Sequence, residues 1–251
     1  MTSRFSASEQ YVVNLINKHR ARIIQMSIVD FANYATVSTA TIVRTMKKMG
    51  YSGYTDFRHS VSQSPAHEPT VLKEADANIR QVITANLREV EETIDQLEIA
   101  TIEDSIQQIA GARIVYLFAR GLSEMIADEM SLKLQLIGKY TQTLHDPNII
   151  KTLAKTVKPD ACAVFISLNG ETPELVDAAR SLQHNGVPII TITTDANAPL
   201  AQNTDILLVG HKSEEAYFPD YEVHSRLPVQ VIARILLDAF VVRAKEKPTQ
   251  K

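Results

Sequence analysis

Hydrophobic residues in the first sixty positions follow helical spacing. Ser6 and Glu9 form a capping-box pattern ahead of apolar residues at 11–16. Ser27 precedes a set spaced i, i+3, i+4, i+7: Ile28, Phe31, Ala32 and Ala35. After a break at 34–38, Ser38 can cap a further helix that runs to about Met49 and stops at Gly50. The pattern predicts an all-α N-terminal domain with the order helix, short turn, helix.

A polar segment separates this domain from the rest of the chain. Residues 60–70 contain Pro65 and Pro69, which is typical of a linker. A long helix is predicted next, at 76–97, and its apolar residues alternate spacings of four and three: Ile83, Leu87, Val90, Ile94 and Leu97. This apolar seam can pack against the rest of the same chain or contact a second copy of the protein. We therefore expect a helical domain at 1–64, a linker at 65–75 and a second domain at 76–251.

The second domain alternates apolar strands with helices. Strands are predicted at 114–118, 140–144, 161–168, 189–193 and 206–209, and helices at 123–137, 148–156, 173–185 and 228–243. Such alternation indicates an α/β fold with a mostly parallel sheet. The continuous apolar run at 163–166 fits a sheet covered on both faces, which gives three layers.

Charge is distributed unevenly along a chain whose net charge is −3. Residues 1–64 contain eight Lys or Arg and three acids, so they carry +5 and the remainder carries −8. A basic first quarter favours a polyanionic partner. The sequence contains neither an apolar stretch of about 20 residues nor a signal pattern, so we expect a cytoplasmic protein with no membrane partner. Cys162 is expected to be a buried hydrophobe, and no spacing of metal ligands or cofactor motif stands out.

The helix after Ser38 has the features of a DNA-reading helix. At 100° per residue, its apolar stripe is Ile42, Val43, Met46 and Met49, and the opposite side is Ala40, Thr41, Arg44, Lys47 and Lys48. Hydroxyl groups at the start of this helix can reach bases or phosphates, and its cations suit guanine or phosphate. The candidate contacts to double-stranded DNA are Ser38, Thr39, Thr41, Arg44, Lys47 and Lys48. A solvated basic face is the alternative interpretation.

Two loops in the second domain are candidates for binding an anion. Residues 167–173 follow the strongest strand and precede a helix, and ligands of open α/β sheets bind beyond the carboxyl ends of strands. Gly170 permits a close backbone approach, while Ser167, Asn169 and Thr172 offer donors beside the positive end of the helix. A second loop, with Gly121 and Ser123, has the same context and can form another wall of one pocket. The alternative is an ordinary polar loop.

Together these features resemble the RpiR family of bacterial transcriptional regulators, and the resemblance covers nearly the whole chain. The residues that carry the resemblance are the segments 26–32, 37–44 and 48–57, then 121–123 and 167–172, then Asp195, 199–201 and 225–226. The second domain looks like a SIS (sugar isomerase) domain, with 121–123 at its G-x-S loop. Residues 167–172 stand where the family has S-x-S-G-x-T, so Asn169 replaces a serine.

The resemblance implies a regulator that senses a phosphorylated sugar. Carried over by position, the phosphate contacts are Ser123, Ser167, Asn169 and Thr172. The family often has a glutamate five residues before the arginine at 226, where this chain has Tyr221; Glu222 follows one step later and is a candidate for the sugar end. A homodimer or homotetramer is expected, because the family mechanism requires paired DNA half-sites.

Three functions remain open from the sequence. The first is a DNA-binding regulator of carbohydrate metabolism genes that responds to a phosphosugar and is not an enzyme. The second is a sugar-phosphate isomerase, with Glu222 or His224 as the base. The third is a constitutive DNA-binding protein that uses its SIS domain only to oligomerise.

Overall fold

A computed structural model of the chain describes residues 5–63, 70–214, 217–218 and 224–246. The chain divides into two compact units, Met1–Ala75 and Asp76–Lys251. Among the described residues, no helix is both long and apolar enough to cross a membrane.

The first unit is helical. Its elements are α1 (Ala7–Ile23), α2 (Ile28–Tyr34), α3 (Thr39–Lys48), α4 (Tyr54–Gln63) and α5 (Thr70–Glu74). The backbone of α1 departs from helical geometry at His19, where φ is −131° and ψ is 35°. The core of this unit contains Phe31, Ile42, Met46 and Phe57 from α2, α3 and α4.

Side-chain caps fix where α2 and α3 begin. Ser27 and Asp30 form a reciprocal capping box at α2, and Ser38 Oγ accepts from the Thr41 N–H at 3.1 Å to cap α3. The turn between the two helices passes through Thr36, whose φ of +52° lies in the left-handed region. A β-branched residue is strained there, so the tight α2–α3 turn is held by the packing around it.

The second unit is built on one parallel sheet. Its strands are β1 (Ile114–Ala119), β2 (Tyr140–Leu144), β3 (Ala161–Ile166), β4 (Ile189–Thr193) and β5 (Ile206–Val209), in the order β2-β1-β3-β4-β5. Its helices are α6 (Ala77–Gln96), α7 (Ile99–Gly111), α8 (Glu124–Leu136), α9 (Pro147–Leu153), α10 (Pro173–His184) and α11 (Leu227–Glu246). The predicted fold class, a helical domain followed by a three-layer α/β domain, is confirmed.

Helices cover both faces of the sheet. One hydrophobic cluster joins alternate strand residues to α7, α8 and α11, and the other joins the remaining strand residues to α9 and α10. Phe118 of β1 and Phe165 of β3 are register partners, and their rings stack with centroids 4.6 Å apart. All six residues of β3 are buried, which explains its continuous apolar sequence.

Two features of the leading helices differ from the sequence prediction. Helix α7, which begins at Ile99, was not predicted. On α6 the buried residues are Glu89 and Thr93, whereas Leu87 and Ile94 of the predicted seam are exposed. The side of α6 that packs within its own chain is therefore not centred on the seam.

Candidate functional site

The strand order creates a crevice at the carboxyl ends of β1 and β3. From β1 the chain crosses to β2 on one side, and from β3 it crosses to β4 on the other side. The helix after β1 lies on one face of the sheet and the helix after β3 on the other. The two loops that leave these neighbouring strands diverge, and this point of an open α/β sheet is where ligands bind.

A polar cleft of about 310 Å³ lies at this point. It is lined by Arg120, Ser123, Ser167, Leu168, Asn169, Glu171, Thr172, His224 and Arg226. The structure thus brings Ser123 of the first predicted loop together with three predicted residues of the second. Gly121 and Gly170 do not line the cleft; both shape its loops with left-handed φ values of +60° and +65°.

Gly170 is required by both its conformation and its surroundings. A Cβ atom there would lie 2.7 Å from Ala198 Cβ and 3.3 Å from Thr193 Oγ1. Ser167 Oγ accepts from the Gly170 N–H at 3.2 Å, which closes the loop. Thr172 stands at the N-cap of α10, and its side chain makes no capping bond to that helix. Its hydroxyl therefore faces the cleft uncommitted to the helix end.

Arg120 joins the two walls of the cleft. Its Nε donates to Glu174 Oε1 of α10 at 2.8 Å, while its Nη1 donates to Glu124 Oε1 at 3.2 Å and to the His145 carbonyl at 2.5 Å. The backbone N–H of Glu174 and the Arg120 guanidinium hold the pKa of the Glu174 carboxyl below its ordinary value. A cation is thus fixed at the cleft by carboxylates from the first turns of α8 and α10.

The segment after β5 contributes His224 and Arg226 to the lining of the cleft, and places Lys212 beside a lining residue. Lys212 Nζ donates to Asn169 Oδ1 at 2.9 Å, and Arg226 Nη1 donates to the His224 carbonyl at 2.8 Å. The imidazole Nδ1 of His224 is buried without a hydrogen-bond partner among the described residues. Sequence reasoning did not select Arg120, although it directly precedes Gly121 in one of the two predicted loops. It missed Lys212 because only the fold places that residue beside Asn169.

Two other predictions concern ligands. The candidate Glu222 lies outside the described residues. Within the described ranges, no group of three or more His, Cys, Asp or Glu side chains could hold a metal ion.

In the first unit, α3 exposes most of the residues that were predicted to contact DNA. Thr41, which was predicted to lie on the outer face of the helix, is the exception. Thr41 is buried at the N-terminal turn of α3, where its Oγ1 lies 2.9 Å from Ser38 Oγ and accepts from Arg44 Nη2 at 3.3 Å. The buried stripe is Thr41, Ile42, Thr45 and Met46, rotated from the predicted one, because Thr45 Oγ1 bonds the Thr41 carbonyl and both side chains turn inward. Ser38, Thr39, Arg44 and Lys47 remain exposed.

Lys48 is engaged within its own unit. Its Nζ lies 2.6 Å from Glu9 Oε2, and the same carboxylate accepts from the Ser6 N–H at 2.7 Å. The bond from Lys48 and the bond from Ser6 lower the pKa of Glu9 to about 2. The α1 carboxylate therefore neutralises one of the three cations expected on the outer face of α3.

Two family models match this chain. The rpiR-family helix-turn-helix domain covers residues 1–68, and the SIS domain covers residues 108–237, which is half of the chain. The chain belongs to the RpiR family. Its assignment as a helix-turn-helix regulator agrees with the name of a curated relative, the HTH-type transcriptional regulator GlvR of Bacillus subtilis. That protein is 25% identical over 95% of this chain and 91% of its own length.

Solved structures share the fold. The NanR protein of Vibrio vulnificus complexed with ManNAc-6P superposes with a TM-score of 0.60 at 21% identity, over 97% of this RpiR chain and 88% of that chain. A putative sugar-phosphate isomerase of Listeria monocytogenes superposes with a TM-score of 0.58 at 16% identity, over 67% of this chain and 89% of that one. Regulators and isomerases therefore use the same domain, and the fold alone does not choose between them.

Proposed function

We propose that this RpiR-family regulator binds operator DNA through α3 and binds a phosphorylated sugar in the cleft at the ends of β1 and β3. The observation that carries the proposal is the cleft itself. Three hydroxyl side chains, the start of α10 and the Arg120 guanidinium converge there on one polar space. Hydroxyl donors, a positive helix end and a guanidinium are the groups that bind a phosphoryl group.

The sugar end of the ligand lies toward His224 and Arg226 in this proposal. His224 and Arg226 line the same cleft as the Ser/Thr loops but come from a separate segment of the chain. The NanR protein of Vibrio vulnificus was solved in complex with ManNAc-6P, which supports a phosphosugar as the ligand class here. Glu222 remains a proposed contact.

On the DNA side, we assign Arg44 and Lys47 to the duplex, with Ser38 and Thr39 at the start of α3. All four are exposed. Lys48 must exchange its bond with Glu9 for a phosphate before it contributes, so its contribution is smaller. Each neutralised phosphate adds about 0.9 to the log–log salt slope.

The DNA test begins with duplexes selected from a random pool by the purified protein. We expect Arg44→Ala to abolish specific binding and to leave the thermal shift by phosphosugars unchanged. Arg180→Ala, an exposed arginine on α10, is the matched control and keeps full DNA affinity. Unchanged DNA affinity in Arg44→Ala would remove this residue from the interface.

The ligand test uses a thermal-shift panel of phosphorylated hexoses and disaccharides, with ManNAc-6P included. Thr172→Val combined with Ser167→Ala should bind the selected duplex normally and lose the response to the sugar phosphate. Thr156→Val, at an exposed threonine in the turn after α9, is the control. A response that survives the double substitution would place the ligand elsewhere.

The isomerase alternative is tested with the same protein. Aldose–ketose isomerisation needs a positioned base whose pKa lies near neutrality. We infer a non-enzymatic role, because an isomerase leaves the helix-turn-helix domain without a purpose. Purified protein that interconverts aldose and ketose phosphates but ignores every selected duplex would reverse this choice. A protein that binds DNA and ignores all phosphosugars would instead favour the constitutive alternative.

We also propose that the protein is a homo-oligomer. Helix α6 exposes four large apolar side chains: Ile79, Val82, Leu87 and Ile94. Such a set on a leading helix is typical of a surface covered by a partner. Sedimentation equilibrium of the wild type against Leu87→Glu tests this proposal, and we expect the substitution to lower the measured mass.

A further inference from the structure

The side chain that distinguishes this cleft from the family pattern has its own partner. Asn169 stands where the family has a serine, and Lys212 Nζ donates to its Oδ1 at 2.9 Å. Because the oxygen of the amide accepts from Lys212, the amide NH₂ group is the end left to donate to an occupant of the cleft. Lys212 is therefore separated from the cleft only by the side chain of Asn169.

The loop that carries Lys212 is fastened to α6 on either side of it. The His211 N–H donates to Thr93 Oγ1 at 3.0 Å, and the Ser213 N–H donates to Glu89 Oε1 at 2.9 Å. His211 Nδ1 also lies 3.0 Å from Glu92 Oε2. The three α6 residues are spaced i, i+3 and i+4, so they form one patch on one turn of the helix.

Both ends of this connection are buried and tightly packed. Glu89 and Thr93 are 3% and 0% exposed. At Gly210, where the loop begins, a Cβ atom would lie 2.9 Å from Pro228 Cβ, 3.2 Å from Ile232 Cδ1 and 3.3 Å from Thr93 Cγ2. The loop therefore has no free space in which to absorb a displacement at its start.

We propose that Lys212 is a positioning residue of the cleft, and that residues 210–214 transmit occupancy of the cleft to α6. This rests on the proposed function, since the occupant is taken to be a phosphorylated sugar. A phosphoryl group carries about −1.5 to −2 charges at pH 7 and attracts the Lys212 ammonium. The movement passes through the backbone N–H groups of His211 and Ser213 to Thr93 and Glu89.

Helix α6 is the appropriate receiver of such a signal. It begins at Ala77, directly after the boundary of the DNA-binding unit at Ala75. A change at its Glu89–Thr93 turn therefore acts on the element that leads out of that unit. Coupling between two ligands of this kind changes affinity by about 5-fold to 150-fold.

The first experiment needs no ligand and so does not depend on the identity of the sugar. Hydrogen exchange of the His211 and Ser213 amides is measured in the full chain. Lys212→Met and Asn169→Ser should each speed this exchange about fivefold or more, and the double variant should be no faster than either single variant. Lys212→Arg keeps the positive charge and should exchange at the wild-type rate. Lys158→Met, at an exposed lysine, should also leave the rate unchanged. Unchanged rates in Lys212→Met, or additive effects, would overturn the proposal.

The second experiment adds ManNAc-6P and, separately, inorganic phosphate at saturating concentration. In the wild type, exchange should change both in the loop at 167–172 and at His211 and Ser213. In Lys212→Met the first change should persist and the second should disappear. If both persist, Lys212 transmits nothing. If neither probe affects the wild-type loop at 167–172, the proposed ligand class fails, while the ligand-free experiment still decides the role of Lys212.

The third experiment separates binding from response. Thr93→Val keeps the shape of the side chain and removes the acceptor for the His211 N–H. It should bind ManNAc-6P within about twofold of the wild type and lose most of the change in affinity for the selected duplex. Thr156→Val serves again as the control. A Thr93→Val protein with the full DNA response would show that α6 receives its signal elsewhere.

Discussion

Gly170 allows the contribution of close packing at the cleft to be separated from that of backbone conformation. Its φ of +65° is matched by the φ of +60° at Gly121, but their surroundings differ. A Cβ at Gly170 would meet Ala198 Cβ at 2.7 Å, whereas a Cβ at Gly121 would meet nothing within 4 Å. The two Gly→Ala substitutions therefore impose the same backbone strain, and only one adds a collision.

The expected magnitudes follow from these two terms. Left-handed backbone at a residue with a Cβ costs about 1–2 kcal/mol, and this is the whole effect predicted for Gly121→Ala. Overpacking against Ala198 adds about 1–3 kcal/mol to Gly170→Ala. For a unit of this size, each kcal/mol lowers Tm by about 2–4 °C, so Gly170→Ala should melt about 2–12 °C below Gly121→Ala.

The assay is scanning calorimetry of the full chain, with the transition of the second unit assigned by its response to ligand or by circular dichroism. Because the chain has two compact units, the two transitions are fitted separately. Equal losses in the two variants would refute the reasoning, since they would mean that Ala198 moves aside at no cost. A Gly121→Ala protein less stable than Gly170→Ala would contradict it more strongly.

Further predictions concern three other positions in the chain: Glu9, Thr36 and Cys162. Glu9→Gln should flatten the pH dependence of unfolding of the first unit between pH 4.5 and 2. The pKa of Glu9 is lowered to about 2, so its pairing stabilises above the ordinary carboxyl range and is lost on acidification. The same variant releases Lys48 and should steepen the salt dependence of DNA binding, as measured by anisotropy at several salt concentrations. Thr36→Gly should raise the stability of the first unit by about 0.5–1 kcal/mol in urea titrations, because relief of left-handed strain exceeds the entropic cost of glycine. Burial raises the pKa of the Cys162 thiol to about 12, so thiol reagents should label it only after unfolding; rapid labelling of native protein would contradict this.

The fold was predictable because the buried strands and amphipathic helices carry strong periodic signals. β3 is a continuous apolar run, and α2 and α3 begin at serines whose capping bonds the structure contains. Helix α7 escaped prediction because Glu98 at its N-cap makes no side-chain capping bond, so its start lacks the usual signal. On α6, the packing face carries Thr93 and Glu89, which a search for apolar seams passes over.

The candidate site was only half predictable. Its hydroxyl side chains lie in two short segments that each connect a strand to the next helix, and strand–loop–helix context is enough to find them. The partners that fix its cations are not local in sequence. Arg120 is fixed by Glu174, and Lys212 by Asn169, 54 and 43 residues apart in sequence. Thr41 was misplaced for a different reason. Its hydroxyl contacts Ser38 and Arg44 within the first turns of α3, and these local bonds satisfy a polar side chain that is buried.

The stacked rings of Phe118 and Phe165 have a consequence for ligand choice. Each ring lies two residues before the first cleft residue of its loop, so Arg120 and Ser167 rise from a common, rigid base. Widening the cleft at that depth would require one aromatic ring to slide across the other inside a close-packed interior. The width of the cleft beside Arg120 and Ser167 is therefore fixed, which suits a chemical group of constant size. Any difference in size among the sugars that the cleft is proposed to bind must therefore be accommodated at its outer rim.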